Sequence, residues 1–225
     1  MNHNTPSLQT CNNAVLNKTL FLDLSRQSLT LGVLSDFDAT AAFDRVLIEL
    51  SIVTCQRVGL PWIAGIFMYN LLKGTEFHLK TAFGRSLTSY SKSNDNKSGQ
   101  GVPQGISSAC PIFILNSDVS LLAYHKYATG ASFTNPINGQ MVTDFAAQFV
   151  DDTSQFLNEG GIKDDDQTVS HDELIHVASQ NAQHWADYLW ISGGYLNLDK
   201  CTLLVVELPS LPILFRVPKM FMENS

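Results

Sequence analysis

Apolar positions along the chain change period several times, and each change marks an element. Leu29, Leu31, Val33 and Phe37 predict a strand that runs into Asp36-Phe37-Asp38. Phe43, Val46, Leu47, Leu50 and Val53 then recur at helical spacing; Gly59 stops that helix, and Pro61 opens another that reaches about Leu72. Gly99 to Gly105 is a Gly/Pro/Gln loop, followed by an apolar, helix-like run from Pro111 to Lys126. The stretch Phe145 to Val150 ends abruptly at Asp151-Asp152, as a strand does when it delivers two carboxylates to a hairpin tip. Ser170 and Glu173 form a capping box for a helix with the stripe Leu174, Val177, Ala178, Asn181, Trp185, Tyr188 and Leu189, closed by Gly193-Gly194. Tyr195 to Glu207 reads as a final strand or strand pair.

This order predicts an α+β domain over residues 29–207, with a mostly antiparallel sheet faced by helices. Residues 1–28 are expected to be a flexible or partial lead-in, since Met1 to Asn17 is rich in Asn, Thr and Ser and has no apolar period. Residues 208–225 mix Pro209, Pro212 and Pro218 with bulky apolar side chains and receive no assignment.

Composition narrows the function. With 225 residues and 44% hydrophobic content the chain is globular, one large domain or two small ones. A formal charge of −7 argues against a protein that coats nucleic acid, and leaves open an enzyme that holds nucleic acid locally and concentrates carboxylates at a metal site. The charge is uneven: between Lys73 and Gln100 lie Lys73, His78, Lys80, Arg85, Lys92 and Lys97 against only Glu76 and Asp95, either a solvated loop or a surface for phosphate backbones. Cys11, Cys55, Cys110 and Cys201 lie far apart without a Cys-x-x-Cys, which indicates neither zinc nor a disulfide framework and fits a reducing intracellular compartment, cytoplasmic or nuclear. The run Val58 to Leu72 is interrupted by Pro61 and Asn70 and falls short of the roughly 20 residues of a membrane span. No signal peptide is visible and no membrane partner is expected. His171, His176 and His184 read as surface residues of the capped helix.

Two strand ends carry carboxylates, Asp38 on the first and Asp151 with Asp152 in the hairpin. If those strands are neighbours, three hard oxygen donors meet at one sheet edge, which suits Mg²⁺ or Mn²⁺. A pair of such ions about 3.5 to 4 Å apart stabilises both oxygens of an in-line phosphoryl displacement. Taken alone, Asp-Asp after a strand is more often a solvated turn than a metal site.

Four segments in order resemble the palm motifs of the reverse transcriptases of retroelements. They are Asp38-Ala39-Thr40-Ala41-Ala42-Phe43-Asp44; Gln100-Gly101-Val102-Pro103-Gln104-Gly105, continuing through Ser107 and Ser108 to Pro111 and Phe113; Phe149-Val150-Asp151-Asp152; and Gly194-Tyr195-Leu196-Asn197-Leu198-Asp199-Lys200-Cys201. The resemblance spans about Leu31 to Val205. It departs from the family in the spacing from Gln104 to Pro111, one residue longer than the commonest form, and at Thr40.

The resemblance implies a palm-type antiparallel sheet and RNA-directed DNA polymerase activity: attack of a primer 3′-hydroxyl on a deoxynucleoside triphosphate (dNTP), with Mg²⁺ (or Mn²⁺) as cofactor and RNA template, DNA primer and dNTP as partners. Asp38 and Asp151 would be the main metal ligands. Asp152 ranks after them, because consecutive side chains of extended backbone point apart. Asp36 shares a strand face with Asp38, and the six-residue spacing to Asp44 favours Asp38 for the ligand role. Phe43 matches the family's aromatic gate beneath the incoming sugar, and also suits a core position on the first helix. Gln104 and Gly105 match residues lining the nucleotide pocket. Lys200 matches a lysine that neutralises or protonates the departing pyrophosphate; an exposed lysine after a strand also needs no special role. The family's fingers segment is not found before Asp38, and no primer grip or thumb is recognised after Val205, so the expectation is a truncated retroelement product. The alternative is a catalytically inactive remnant with a palm fold and weak nucleic-acid affinity; a nucleotide cyclase on the same fold is disfavoured by the Val102-Pro103-Gln104-Gly105 loop.

Overall fold

A computed structural model describes residues 11–91, 101–103, 107–162, 169–206 and 213–216. In chain order the elements are α1 (Cys11–Gln27), β1 (Gly32–Asp38), α2 (Ala42–Arg45), α3 (Ile48–Arg57), α4 (Trp62–Lys73), β2 (Glu76–Thr81), β3 (Gly84–Ser91) and α5 (Ala109–Tyr124). There follow β4 (Ala131–Thr134), β5 (Met141–Asp144), β6 (Ala146–Phe149), β7 (Asp152–Asn158), α6 (Glu159–Ile162), α7 (His171–Ile191), β8 (Thr202–Val206) and β9 (Ile213–Arg216). The chain divides into two compact units, one of residues 1–40, 120–188 and 195–225, the other of residues 41–119 and 189–194.

The first unit is built on a five-stranded antiparallel sheet in the order β6-β7-β1-β8-β9. Central β1 is buried on both faces, which is why Val33 and Leu34 follow one another without a polar break. Its register places Leu34 opposite Phe156 and Leu204, and Val33 opposite Leu157 and Val205. The Leu34 face packs with Phe21 of α1, Ala131 and Ala147. The Val33 face packs with Leu174 and Ala178 of α7. Each of the buried Val, Leu and Phe side chains contributes about 1.5–3 kcal/mol by leaving water, and each alanine methyl less. Ser170 caps α7 as expected, its hydroxyl accepting from the Glu173 N–H at 3.2 Å.

Buried amides tie the outer parts to this sheet. Asn158 is fully buried; its Oδ1 accepts from the Ser132 and Gly161 N–H groups at 2.8 and 3.0 Å, and its Nδ2 donates to the Ser132 carbonyl at 2.9 Å. Asn181 makes the same two-way contact with the backbone of Thr129, at 3.1 and 2.7 Å. The backbones approach so closely here that a Cβ on Gly161 would collide with the Gly130 carbonyl.

In the second unit the expected helix over Phe43 to Val53 is broken into α2 and α3, with Val46 and Leu47 extended between them. Carbonyls freed by the break find partners: Val102 N–H donates to Phe43 O at 2.8 Å and Gly101 N–H to Val46 O at 2.9 Å. Asn116 on α5 joins α3, donating to Ser51 Oγ at 2.8 Å and accepting from Thr54 Oγ1 at 3.0 Å. Pro61 precedes α4 as expected.

Several elements differ from the sequence expectation. Residues 11–27, within the stretch expected to be a flexible or partial lead-in, form α1 against the sheet. Its inward stripe is Ala14, Lys18, Phe21 and Ser25, too poor in large apolar residues to show a period. Part of the basic stretch after Lys73 is the β2–β3 hairpin, and the C-terminal segment supplies β9. The pair β4–β5 had no expected counterpart. Lys92, Lys97, Gln100, Gln104, Gly105 and Asp164 to Asp166 lie outside the described residues. Among the described residues no helix is long and apolar enough to cross a membrane.

Candidate active site: carboxylates at one end of the sheet

On the face of β1 that meets α1, the apolar layer gives way to acid within two rungs. Leu34 is followed on that face by Asp36 and Asp38, and on β7 Phe156 by Ser154 and Asp152. The register sets Asp36 opposite Ser154 and Asp38 opposite Asp152. Directly opposed residues of an antiparallel pair project to the same face with Cβ atoms about 4.5–5.5 Å apart. Asp38 and Asp152 therefore share one face and one rung.

Asp151 occupies the two-residue turn, Val150-Asp151, that joins β6 to β7. Expectation paired Asp38 with Asp151; the register instead makes Asp152 the direct partner of Asp38, with Asp151 beside it on the turn. The turn is strained, because Val150 has φ 56°, a left-handed backbone that costs a β-branched residue about 1–3 kcal/mol. Gln148 Nε2 donates to the Val150 carbonyl at 2.8 Å and helps to hold it.

Two lysines answer the acidic cluster. Lys200 Nζ lies 3.3 Å from Asp38 Oδ2. The turn before β8 delivers it: Asn197 N–H donates to the Asp38 carbonyl at 2.8 Å, Lys200 N–H to the Asn197 carbonyl at 2.9 Å, and buried Cys201 anchors the far side. Lys18 Nζ lies 2.8 Å from Asp36 Oδ1, the same oxygen that accepts from Ser154 Oγ at 2.6 Å. Lys18 and Ser154 were not singled out in the sequence. The available signal was a lysine spaced four from Ala14 and three from Phe21, on the inward side of a helix.

The charges are imperfectly balanced. Partial desolvation lifts the Asp152 carboxyl above the usual carboxylate range, with further lift from Asp151, Asp38 and Asp36, while Lys18 acts the other way. The residue is exposed, so solvent screens part of this repulsion. Among the described residues no three His, Cys, Asp or Glu side chains converge around one point as they stand. The reason is visible in the pairings, since Asp36 is turned to Lys18 and Ser154, and Asp38 to Lys200.

The sheet thus gathers Asp38, Asp151, Asp152 and Lys200. Phe43 belongs to the second unit, half-buried on α2 with its ring centroid 4.9 Å from that of Phe113.

No family profile and no curated protein matches the chain in sequence. Solved structures do match in fold. The telomerase of Candida tropicalis, in complex with a TWJ fragment of telomeric RNA, superposes with a TM-score of 0.55 at 14% identity, over 91% of this chain and 30% of the telomerase chain. The telomerase of Candida albicans in the corresponding complex gives 0.53 at 15% identity, over 91% and 31%. The fold is reverse-transcriptase-like. The chain spans less than a third of either telomerase chain, and an α+β, palm-like fold is what the likeness establishes.

Proposed function

We propose that the chain is the palm of a retroelement's RNA-directed DNA polymerase, one that adds deoxynucleotides to a DNA primer on an RNA template in the cytoplasm or nucleus. The observation that carries this reading is the Asp38–Asp152 rung, with Asp151 on the adjoining turn, at one end of the palm-like sheet. The telomerase structures similar in fold contain RNA, which supports a nucleic-acid partner.

Asp38, Asp151 and Asp152 would hold Mg²⁺ or Mn²⁺. The donors fit such an ion: all are hard carboxylate oxygens, and the site already draws ammonium groups to Asp36 and Asp38. When bound, the ions supply Lewis-acid neutralisation of the attacking and leaving oxygens. In the reaction the primer 3′-hydroxyl releases its proton to solvent as its oxygen bonds to the α-phosphorus, the bond from that phosphorus to the bridging oxygen breaks, and pyrophosphate departs. Lys200 is proposed to leave Asp38 for the departing pyrophosphate and to neutralise or protonate it. Phe43 is proposed to bar a 2′-hydroxyl by size, and Gln104 and Gly105 to line the nucleotide pocket.

The test is primer extension on a primed RNA template, with Mn²⁺ binding followed by electron paramagnetic resonance. Asp38→Asn is expected to cut extension by at least about 100-fold and to weaken Mn²⁺ binding while circular dichroism stays native. Unchanged extension in that variant refutes the role. Native Mn²⁺ binding without extension by the wild type favours the inactive remnant.

A further inference from the structure

The β2–β3 hairpin carries chemistry that the carboxylate site does not use. Its rung nearest the turn pairs Thr81 with Gly84, and the next sets Lys80 directly opposite Arg85. Like charges directly opposed on one face disfavour a hairpin. An isolated two-stranded ribbon has little stability to spare. Among the described residues neither cation takes part in an ion pair, and both are exposed in a chain of net charge −7.

At the tip stands an aromatic ring without cover. Phe83 is 102% exposed, as is Leu87 on β3. The backbone beneath the ring is held: Phe83 N–H donates to Thr81 Oγ1 at 3.2 Å, and that hydroxyl donates to the Gly84 carbonyl at 3.4 Å. Gly84 has φ 128°, which only glycine adopts readily.

Unpaired cations beside an open π-face fit a ligand that offers phosphates and unstacked bases together. An acidic peptide would use the cations and leave the ring in water; an apolar partner would bury Lys80 and Arg85 uncompensated. A duplex hides the faces of its bases, whereas a single strand presents them.

We propose that the β2–β3 hairpin is a contact for single-stranded nucleic acid, with Lys80 and Arg85 on successive phosphates and Phe83 stacked on a base. No carboxylate or metal enters the argument, so it stands or falls separately from the polymerase reading.

The experiment measures fluorescence anisotropy of a labelled RNA of about 12 nucleotides with the full chain, in EDTA, from roughly 25 to 200 mM KCl. Removing both cations, in Lys80→Ala with Arg85→Ala, is expected to flatten the log–log salt slope by about 1.4. Phe83→Ala is expected to weaken binding about ten-fold at every salt concentration, and Phe83→Trp to restore it. The same RNA annealed to its complement should bind more weakly than the single strand. An unchanged slope in the double variant, unchanged affinity in Phe83→Ala, or duplex binding as tight as single-strand binding overturns the proposal. So does a dimer that Phe83→Ala converts to monomer with RNA affinity unaltered. All three positions are exposed, so loss of fold does not confuse the readout.

Discussion

Replacing Asp152 with asparagine should stabilise the metal-free protein, although the residue sits at the proposed catalytic centre. Asp152 stands opposite Asp38, follows Asp151 and shares its face with Asp36, while Lys18 on Asp36 and Lys200 on Asp38 oppose them. Two carboxylates about 5 Å apart repel by about 0.8 kcal/mol in water. Three like charges at about 5 to 8 Å, less the attraction of the two lysines and damped over a Debye length of about 8–10 Å, leave about 0.5 kcal/mol acting against Asp152. For a chain of this size that is a gain of about 1–2 °C in melting temperature. The assay is thermal and urea unfolding in EDTA at neutral pH, at low salt and at about 1 M KCl, where the Debye length falls to about 3 Å and the gain should nearly vanish. Acid should erase it too. The folded state holds the Asp152 proton more tightly than the unfolded chain, so the wild type's penalty is fully present above the raised pKa. It fades as pH falls toward the ordinary carboxylate value of about 3.9. Saturating Mg²⁺ should reverse the order, because an ion bound only by the folded state stabilises the wild type more. A variant less stable than wild type in EDTA at low salt, or a gain indifferent to salt, would refute the reasoning.

Two further outcomes follow from named contacts. Phe43→Val should raise ribonucleotide relative to deoxyribonucleotide incorporation in primer extension, since it removes the ring that packs 4.9 Å from Phe113; unaltered discrimination would leave Phe43 with a packing role only. Asn158→Ala should cost about 2–4 kcal/mol in urea unfolding, because it strands the Ser132 N–H and carbonyl and the Gly161 N–H in a buried site. A loss below about 1 kcal/mol would mean that water replaces the amide.

Local signals in the sequence determined the elements whose causes are local. Apolar positions running into an acidic end marked β1, although Leu29 and Leu31 precede it, Ser170 marked the start of α7, and Gly59 with Pro61 separated α3 from α4. The same reading placed Asp38, Asp151, Asp152 and Lys200 in segments that the fold brings together. What it left undecided depends on contacts between residues far apart in the chain. Helix α1 escaped notice because its inward stripe of Ala14, Lys18, Phe21 and Ser25 gains its meaning only from the sheet beneath it, where Lys18 finds Asp36. The hairpin of β2 and β3 and the addition of β9 to β8 are strand pairings that no local period reports. Which of two adjacent aspartates faces Asp38 was likewise beyond the sequence. A shift of one residue in strand register moves every side chain to the opposite face, and only the packing of Leu34 and Phe156 under Phe21 fixes that register and makes the partner Asp152.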